Sequence, residues 1–390
     1  MRGPTLLVVR RLLHELPQTA ILVACLAVAF LLPIGGRLLL DRWSTELRAR
    51  ANATPLVVGR AGSPIELVLA ALHFQRRDLP PIEFGEVLAL DGRPELVAVP
   101  LSLGFTARGR PIVGTRLDYF ERRGLRPAAG SLPLRLGDCV LGATVARELD
   151  LAPGDSLFSD PREAYDLATA PPLRMLVRGV LAPSGTSDDD AVFADLRTAW
   201  ILGGLLHGHA DPVRLPEAAI LGRDGERIVV DEGIREYFEV TDENLAGFHL
   251  HGEESSMPVS AILVFPQDAR TSVIEEGRLD APATRQAVRP AEVIDELLAT
   301  VARVKRLFDA VTAVLVATTV LLASLVIALS LRARRGEILV MQAIGASPWT
   351  IRRVLAGEIA VVAIAAIVAG ALAAWAISHT APDLLRLMVG

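Results

Sequence analysis

The feature that most constrains this chain is the run Ala310 to Leu331, 22 consecutive residues without a charged side chain. About 20 apolar residues wound as a helix match the ~30 Å hydrocarbon core of a bilayer. In water such a helix would lack a polar face; across a membrane it needs none. Two more runs read the same way. Thr19 to Gly36 is uncharged, with apolar residues resuming at Leu38 to Leu40, and Ile359 to Ile377 is rich in Ala, Val and Ile around Gly370. Small residues let helix backbones approach closely, so the third run is expected to pack on other helices rather than face lipid alone. Composition agrees: 51% of residues are hydrophobic but only 5% aromatic, and mean hydropathy is +0.40. A secretory signal also starts with basic residues, here Arg2, Arg10 and Arg11. Its apolar part is shorter, however, so the first run reads as an uncleaved anchor.

Arginine placement sets the orientation. Besides the basic tail, the segment between the second and third runs carries Arg332, Arg334, Arg335, Arg352 and Arg353 against Glu337 and Glu358. Short positive segments stay in the cytoplasm. The expected order is a cytoplasmic tail (1–18), span one (19–40), an outer domain (41–305), span two (310–331), a cytoplasmic loop (332–357), span three (359–378) and an outer tail (379–390). The outer domain takes the acidic excess, which argues against a nucleic-acid partner.

Within the outer domain, Pro55 to Val58, Leu96 to Val99 and Met175 to Leu181 have the short, β-branched character of strands. Ser63 to Phe74 reads as a helix, with Ser63 as N-cap and Pro64 at the first helical position. Ala143 to Leu149 reads as a second helix, closed by the turn cluster Ala152-Pro153-Gly154-Asp155. This irregular mixture predicts an α+β fold rather than a doubly wound one. Residues 207–258 are polar, glycine-rich and acidic, and read as an insertion before the strand Val259 to Phe265.

The cytoplasmic loop is patterned. Ile338, Met341 and Ile344, then Ile351, Val354 and Leu355, predict an amphipathic helix, a break and a return to the membrane. Gly345-Ala346-Ser347-Pro348 supplies the break: a glycine able to end one helix, then Ser-Pro able to start the next. A loop that only fixed topology would need neither.

The stretch Arg334-Arg335-Gly336-Glu337-Ile338 followed by Ala343-Ile344-Gly345-Ala346-Ser347 resembles the loop after the second span of FtsX-like permeases. That family includes the macrolide exporter and the lipoprotein-releasing permeases. Val57 to Leu69, Ile112 to Thr115 with Asp118 to Phe120, Val140 to Gly142 through Asp155, and Gly179 to Thr186 resemble outer-domain motifs of one branch. The resemblance implies a MacB-core-like α+β outer domain between spans one and two, in a bacterial inner-membrane protein. It also implies a coupling helix, Gly336 to Ala346, that docks on the ATPase subunit of an ABC transporter. Arg335, Gly336, Glu337, Met341, Ile344, Gly345, Ala346 and Ser347 then form the coupling segment, with Arg335 and Glu337 at the contact and Gly345 at the bend. A second permease copy or a paralogue completes the dimer, and an adaptor or substrate protein outside is compatible. Family members usually have four spans, whereas three are read here. The last helix is then absent, supplied by a partner, or beyond Gly390.

ATP belongs to the partner chain. A phosphate-binding Walker loop needs glycines, a Lys and a Ser or Thr, yet the only lysine, Lys305, lies in Val301 to Arg306 with no glycine near. No G-x-S-x-G elbow or H-E-x-x-H set is present, and Ser63, His73 and Asp118 form no hydrolase pattern. Cys25 and Cys139 are too far apart in kind of environment to be expected to pair. Four histidines fall in the insertion as His207-Gly208-His209 and His249-Leu250-His251. In an extended chain residues i and i+2 face the same way, so each pair can offer two imidazoles to a zinc ion; a solvated acidic loop is the alternative. Asp188-Asp189-Asp190 reads as a solvated acidic turn rather than a calcium site.

The chain is therefore expected to be a non-catalytic permease subunit that transmits motion from a separate ATPase to its outer domain, for export or release of a substrate. A regulator of cell-envelope enzymes using the same coupling is the alternative. A membrane-anchored sensor would need a larger cytoplasmic part, and an anchored enzyme would need a catalytic set.

Overall fold

The computed structural model describes residues 8, 10, 13–14, 16–75, 79–132, 135–161, 172–208, 220–224, 227–230, 237–250, 252–333 and 335–389. The chain divides into two compact units, Glu46–Leu297 and the pair of segments Met1–Thr45 with Leu298–Gly390.

The first unit, Glu46–Leu297, begins within the last turns of α1 (Leu16–Asn52). Its strands and helices run β1 (Leu56–Arg60), α2 (Pro64–His73), β2 (Ile82–Glu83), α3 (Phe84–Asp91), β3 (Leu96–Ala107), β4 (Arg110–Thr115), α4 (Leu117–Arg123), β5 (Pro127–Gly130), β6 (Asp138–Leu141) and α5 (Ala143–Leu149). Then come β7 (Ser156–Phe158), β8 (Arg174–Leu181), β9 (Val192–Asp195), α6 (Leu196–Leu202) and β10 (Leu206–Gly208). The insertion holds β11 (Ile220–Asp224), β12 (Arg227–Val230) and β13 (Phe248–Leu250). β14 (Pro258–Val259), β15 (Ala261–Pro266), α7 (Ala269–Asp280) and β16 (Arg285–Val288) close the unit, ahead of α8 (Pro290–Ala333).

Ten of these strands form one mixed sheet, in the order β16-β1-β15-β3-β4-β9-β6-β8-β5, with β7 paired to β8. β4–β9 and β6–β8 are parallel and the other ladders antiparallel. This is the expected α+β arrangement. The long β3 joins the halves: Leu96 to Leu101 pair with β15, and after a register shift between Ser102 and Phe105 the strand continues with β4. Gly104, at φ +105, lies inside that shift, a backbone region that glycine enters without steric cost.

Burial explains the elements. Along β8 buried and half-buried residues alternate, as expected for a strand with one face on the core. β1 is buried from Leu56 to Gly59. α2 begins as expected: the Ser63 hydroxyl accepts the Glu66 N–H at 3.4 Å, with Pro64 in the first turn. It ends at His73, and Phe74 (φ 52) caps it with an N–H to the Ala70 carbonyl. α5 spans Ala143 to Leu149 as expected. Trp200, Phe84, Leu141 and Val177 belong to the apolar core beside the sheet.

The other unit is helical. α8 leads to α9 (Arg335–Ala343) and α10 (Pro348–Val389). Among the described residues one stretch, Pro348–Ala376, is long and apolar enough to cross a membrane: it has 29 residues and contains an 18-residue window of mean hydropathy 2.5. The third apolar run is therefore part of a helix that starts at Pro348 and continues through the expected outer tail. Its start has a local cause: the Ser347 hydroxyl accepts the Thr350 N–H at 3.2 Å, an N-cap ahead of a first-turn proline. The first and second apolar runs lie within α1 and α8.

Candidate functional site

The patterned connector folds as a helix, a turn and a helix. α9 ends at Ala343; the Ile344 N–H reaches the Val340 carbonyl and the Gly345 N–H the Gln342 carbonyl, each at 3.0 Å. Gly345 sits at φ +89, the left-handed conformation that closes a helix and favours glycine. Gly336, Val340 and Ile344 are spaced by four along this segment, and the last two are 61% and 78% exposed. Leu339 and Trp349 are exposed as well. The Arg353 guanidinium covers the Trp349 ring, 4.1 Å from its centre. Ile351 and Val354 point inward and are buried, while Arg352 and Arg353 are exposed. The start of α10 is thus amphipathic, with apolar residues inside and arginines out.

Each expected coupling residue has a place here. Arg335 and Gly336 are exposed at the start of α9, and Glu337 and Met341 lie within that helix. Ile344 and Gly345 form the turn, Ala346 is half-exposed, and Ser347 caps α10.

A second cluster lies inside the α+β unit, where α1 ends. Arg50 places Nη1 and Nη2 on the two carboxylate oxygens of Asp188, at 2.6 and 2.8 Å. The Tyr119 hydroxyl accepts from Arg50 Nη2 at 2.9 Å and donates to Asp188 Oδ1 at 2.5 Å. Arg50 also stands over the Phe74 ring, 5.2 Å from its centre. Phe74, Tyr119 and Phe120 all pack on Phe193, with ring centres 5.3–6.1 Å away. Burial opposes charge on both partners, yet their mutual attraction and hydrogen bonds win: the Asp188 pKa is lowered and that of Arg50 raised. Burial, reinforced by the Asp188 charge, raises the Tyr119 pKa, so the hydroxyl stays a donor. His73 borders the cluster, with Nδ1 3.0 Å from the Ser187 hydroxyl.

This arrangement corrects one expectation. Asp188 and Asp189 are buried, not solvated. Asp189 accepts the N–H of Ser184 and of Gly185, each at 2.8 Å, and the Ser184 hydroxyl at 2.9 Å. The motif Ser184-Gly185-Thr186 therefore wraps around it. Sequence reading does not find the cluster, because Arg50 and Asp188 lie in unrelated stretches. The available signal was an arginine at the end of a long apolar helix, beside an aspartate tract in a domain with a large core.

Of the four histidines, His207 and His249 are directly opposite across the antiparallel β10–β13 ladder. His209 and His251 lie outside the described residues. Among the described residues no group of three or more His, Cys, Asp or Glu could hold a metal ion. Cys25 and Cys139 are both free.

Among the described residues the chain thus carries one helix long and apolar enough to cross a membrane, a bent connector and an α+β domain. Residues 310–388 match the family model of the FtsX-like permease C-terminal domain, so the family recognised in the connector is also the family that this segment matches. Among curated proteins none matches the sequence. The periplasmic region of MacB from Actinobacillus actinomycetemcomitans is similar at 10% identity and TM-score 0.36, over 63% of this chain and 94% of that one. The extracellular domain of the noncanonic ABC-type transporter YknZ from Gram-positive bacteria is similar at 11% identity and TM-score 0.33, over 60% and 98%. At such low TM-scores neither likeness says what this chain does.

Proposed function

We propose that this chain is the permease subunit of an ABC transporter and passes ATP-driven motion of a separate ATPase to its outer domain. The observation that carries the reading is the bent connector: a short helix with Leu339 and Val340 exposed, ended by a left-handed glycine, inside a segment matching the FtsX-like permease model. Exposed apolar side chains on a short cytoplasmic helix suit a partner groove.

In this reading α1, α8 and α10 each cross the membrane, with the arginine-rich tail and connector in the cytoplasm. Two permeases and two ATPase subunits assemble. Closure of the ATPases pushes α9 through Arg335 and Glu337, and the spans move the outer domain as a lever. Substrate is handled outside, with no channel through the bilayer. The chain itself holds no nucleotide and catalyses nothing.

The test is co-expression with a candidate Walker-motif ATPase of the ABC class. The two should co-purify, and ATP hydrolysis should depend on the permease. A purified complex without any nucleotide-binding partner overturns the reading. So does labelling of a cysteine placed at Met341 or Trp349 from the outer face of the membrane.

A further inference from the structure

The α+β unit holds a cavity of about 680 Å³ that the coupling reading does not use. Sites for small organic ligands are commonly about 300–1,000 Å³, mostly apolar, with a few placed polar groups. Phe84, at the start of α3, and Trp200, on α6, wall it from the core; Leu245 and Phe248 come from the returning arm of the insertion. The Phe84 and Trp200 rings meet edge to face, with centres 5.4 Å apart and planes at 80°. The indole N–H is spent on the Pro258 carbonyl at 3.0 Å, so this wall brings no free donor.

Charge decides what such a cavity accepts. Two lining arginines are already matched: Arg116 holds both carboxylate oxygens of Asp91, at 2.7 and 3.0 Å, and Arg197 holds Glu254 at 2.7 Å. Asp195, which also lines the cavity, is different. Its Oδ1 caps α6 by accepting the Arg197 N–H at 2.9 Å, and among the described residues it has no ion-pair partner. Burial raises its pKa, against the pull of that N–H and of the Arg197 charge. With their partners, the charged groups at the cavity are two arginines against three carboxylates. A half-buried carboxylate without a counter-ion gains from a cation placed beside it and loses from an anion. Aromatic rings attract organic cations in the same sense.

We propose that this cavity binds an organic ammonium with an apolar body, its nitrogen beside Asp195 and its hydrocarbon against Phe84, Trp200, Leu245 and Phe248. The apolar body separates this ligand from a small hydrated cation, which the hydrocarbon walls would only strip of water. Binding ties the arm that carries Leu245 and Phe248 to the core that carries Phe84 and Trp200. That this molecule is what the chain handles outside the membrane rests on the coupling reading; the binding itself does not.

The experiment titrates benzyltributylammonium chloride into the full-length protein in nanodiscs of zwitterionic lipid, with no ATPase present, followed by calorimetry against empty nanodiscs. One site per chain is expected, and sodium benzenesulfonate should show none. Asp195→Asn keeps a side chain able to cap α6 but removes the charge, and should weaken binding at least about tenfold. Leu245→Trp, at a residue 40% exposed, should fill the cavity and block binding while the melt stays that of the wild type. No saturable binding to the wild type, equal affinity in Asp195→Asn, undiminished binding in Leu245→Trp, or equal binding of the sulfonate overturns the site. Since no ATPase is present, failure here leaves the coupling reading standing, and loss of that reading leaves the binding curve unchanged.

Discussion

Arg50 holds Asp188 through both terminal nitrogens, at 2.6 and 2.8 Å, although the two residues are 138 apart in sequence and each side chain is at most 3% exposed. Removing one partner strands a charge in the interior. Arg50→Ala or Asp188→Asn should each destabilise the outer domain by about 3–5 kcal/mol. Replacing both with apolar residues, as in Arg50→Met with Asp188→Leu, should cost less than either single change. Thermal melts of the purified variants decide it, and equal losses for singles and double would refute the pairing as the cause.

Acid should loosen the same region, and His73 gives the window. Burial lowers its pKa to about 4, helped by Arg50 and Arg123 and opposed by Asp188. An unfolded histidine titrates near 6.5. Between those values the unfolded chain binds a proton that the folded one refuses, so stability falls as pH falls. The slope reaches ~1.4 kcal/mol per pH unit, on the order of 3 kcal/mol by pH 4. Further down, the lowered Asp188 pKa acts in the same direction: its contribution is full above the unfolded value of ~3.9 and is lost as pH drops through the folded one. His73→Gln should flatten melting temperature against pH between 6.5 and 4. Parallel curves for wild type and variant would count against this assignment.

Gly142 should tolerate no side chain. A Cβ there would lie 2.3 Å from the Asp188 carbonyl oxygen and 2.5 Å from that of Asp189, both backbone atoms. Its N–H already donates to the Ala191 carbonyl at 2.9 Å, which fixes the approach. Gly142→Ala should push the aspartate turn away from Arg50 and cost about 1–3 kcal/mol. A melt unchanged from wild type would show that the turn moves freely.

Gly345 separates strain from blockage. No atom lies within 4 Å of a Cβ built on it, so Gly345→Ala meets only the left-handed penalty of about 1 kcal/mol. Gly345→Pro forces φ from +89 towards −65° and deletes the N–H bond to Gln342. Alanine should retain permease-dependent ATP hydrolysis, whereas proline and Glu337→Arg should uncouple hydrolysis from outer-domain function. Coupling that survives both proline and the charge reversal would place force transmission elsewhere.

Local chemistry made several of these features readable in advance. Ser63-Pro64 marks the start of α2, Gly345 through Pro348 marks the bend, and Ala143 to Leu149 marks α5, because caps and turns act within a few residues. Long-range pairings were not readable. Asp188 looks solvated until Arg50 and Tyr119 arrive from other elements to neutralise it. The histidines likewise suggest partners two residues apart. The ladder instead joins His207 to His249, a register that no property of either tripeptide encodes.

β1 and β16, the first and last strands of the outer domain, are antiparallel neighbours, paired from Val57–Val288 to Arg60–Arg285. Both chain connections therefore leave from the same end of one two-strand seam, where Arg48 also bonds Asp295 at 3.0 Å. If one connection slides lengthwise past the other, the seam is loaded in shear, with its hydrogen bonds sharing the strain together instead of opening one by one as in peeling. A joint loaded that way resists unzipping better than one pulled open from its end.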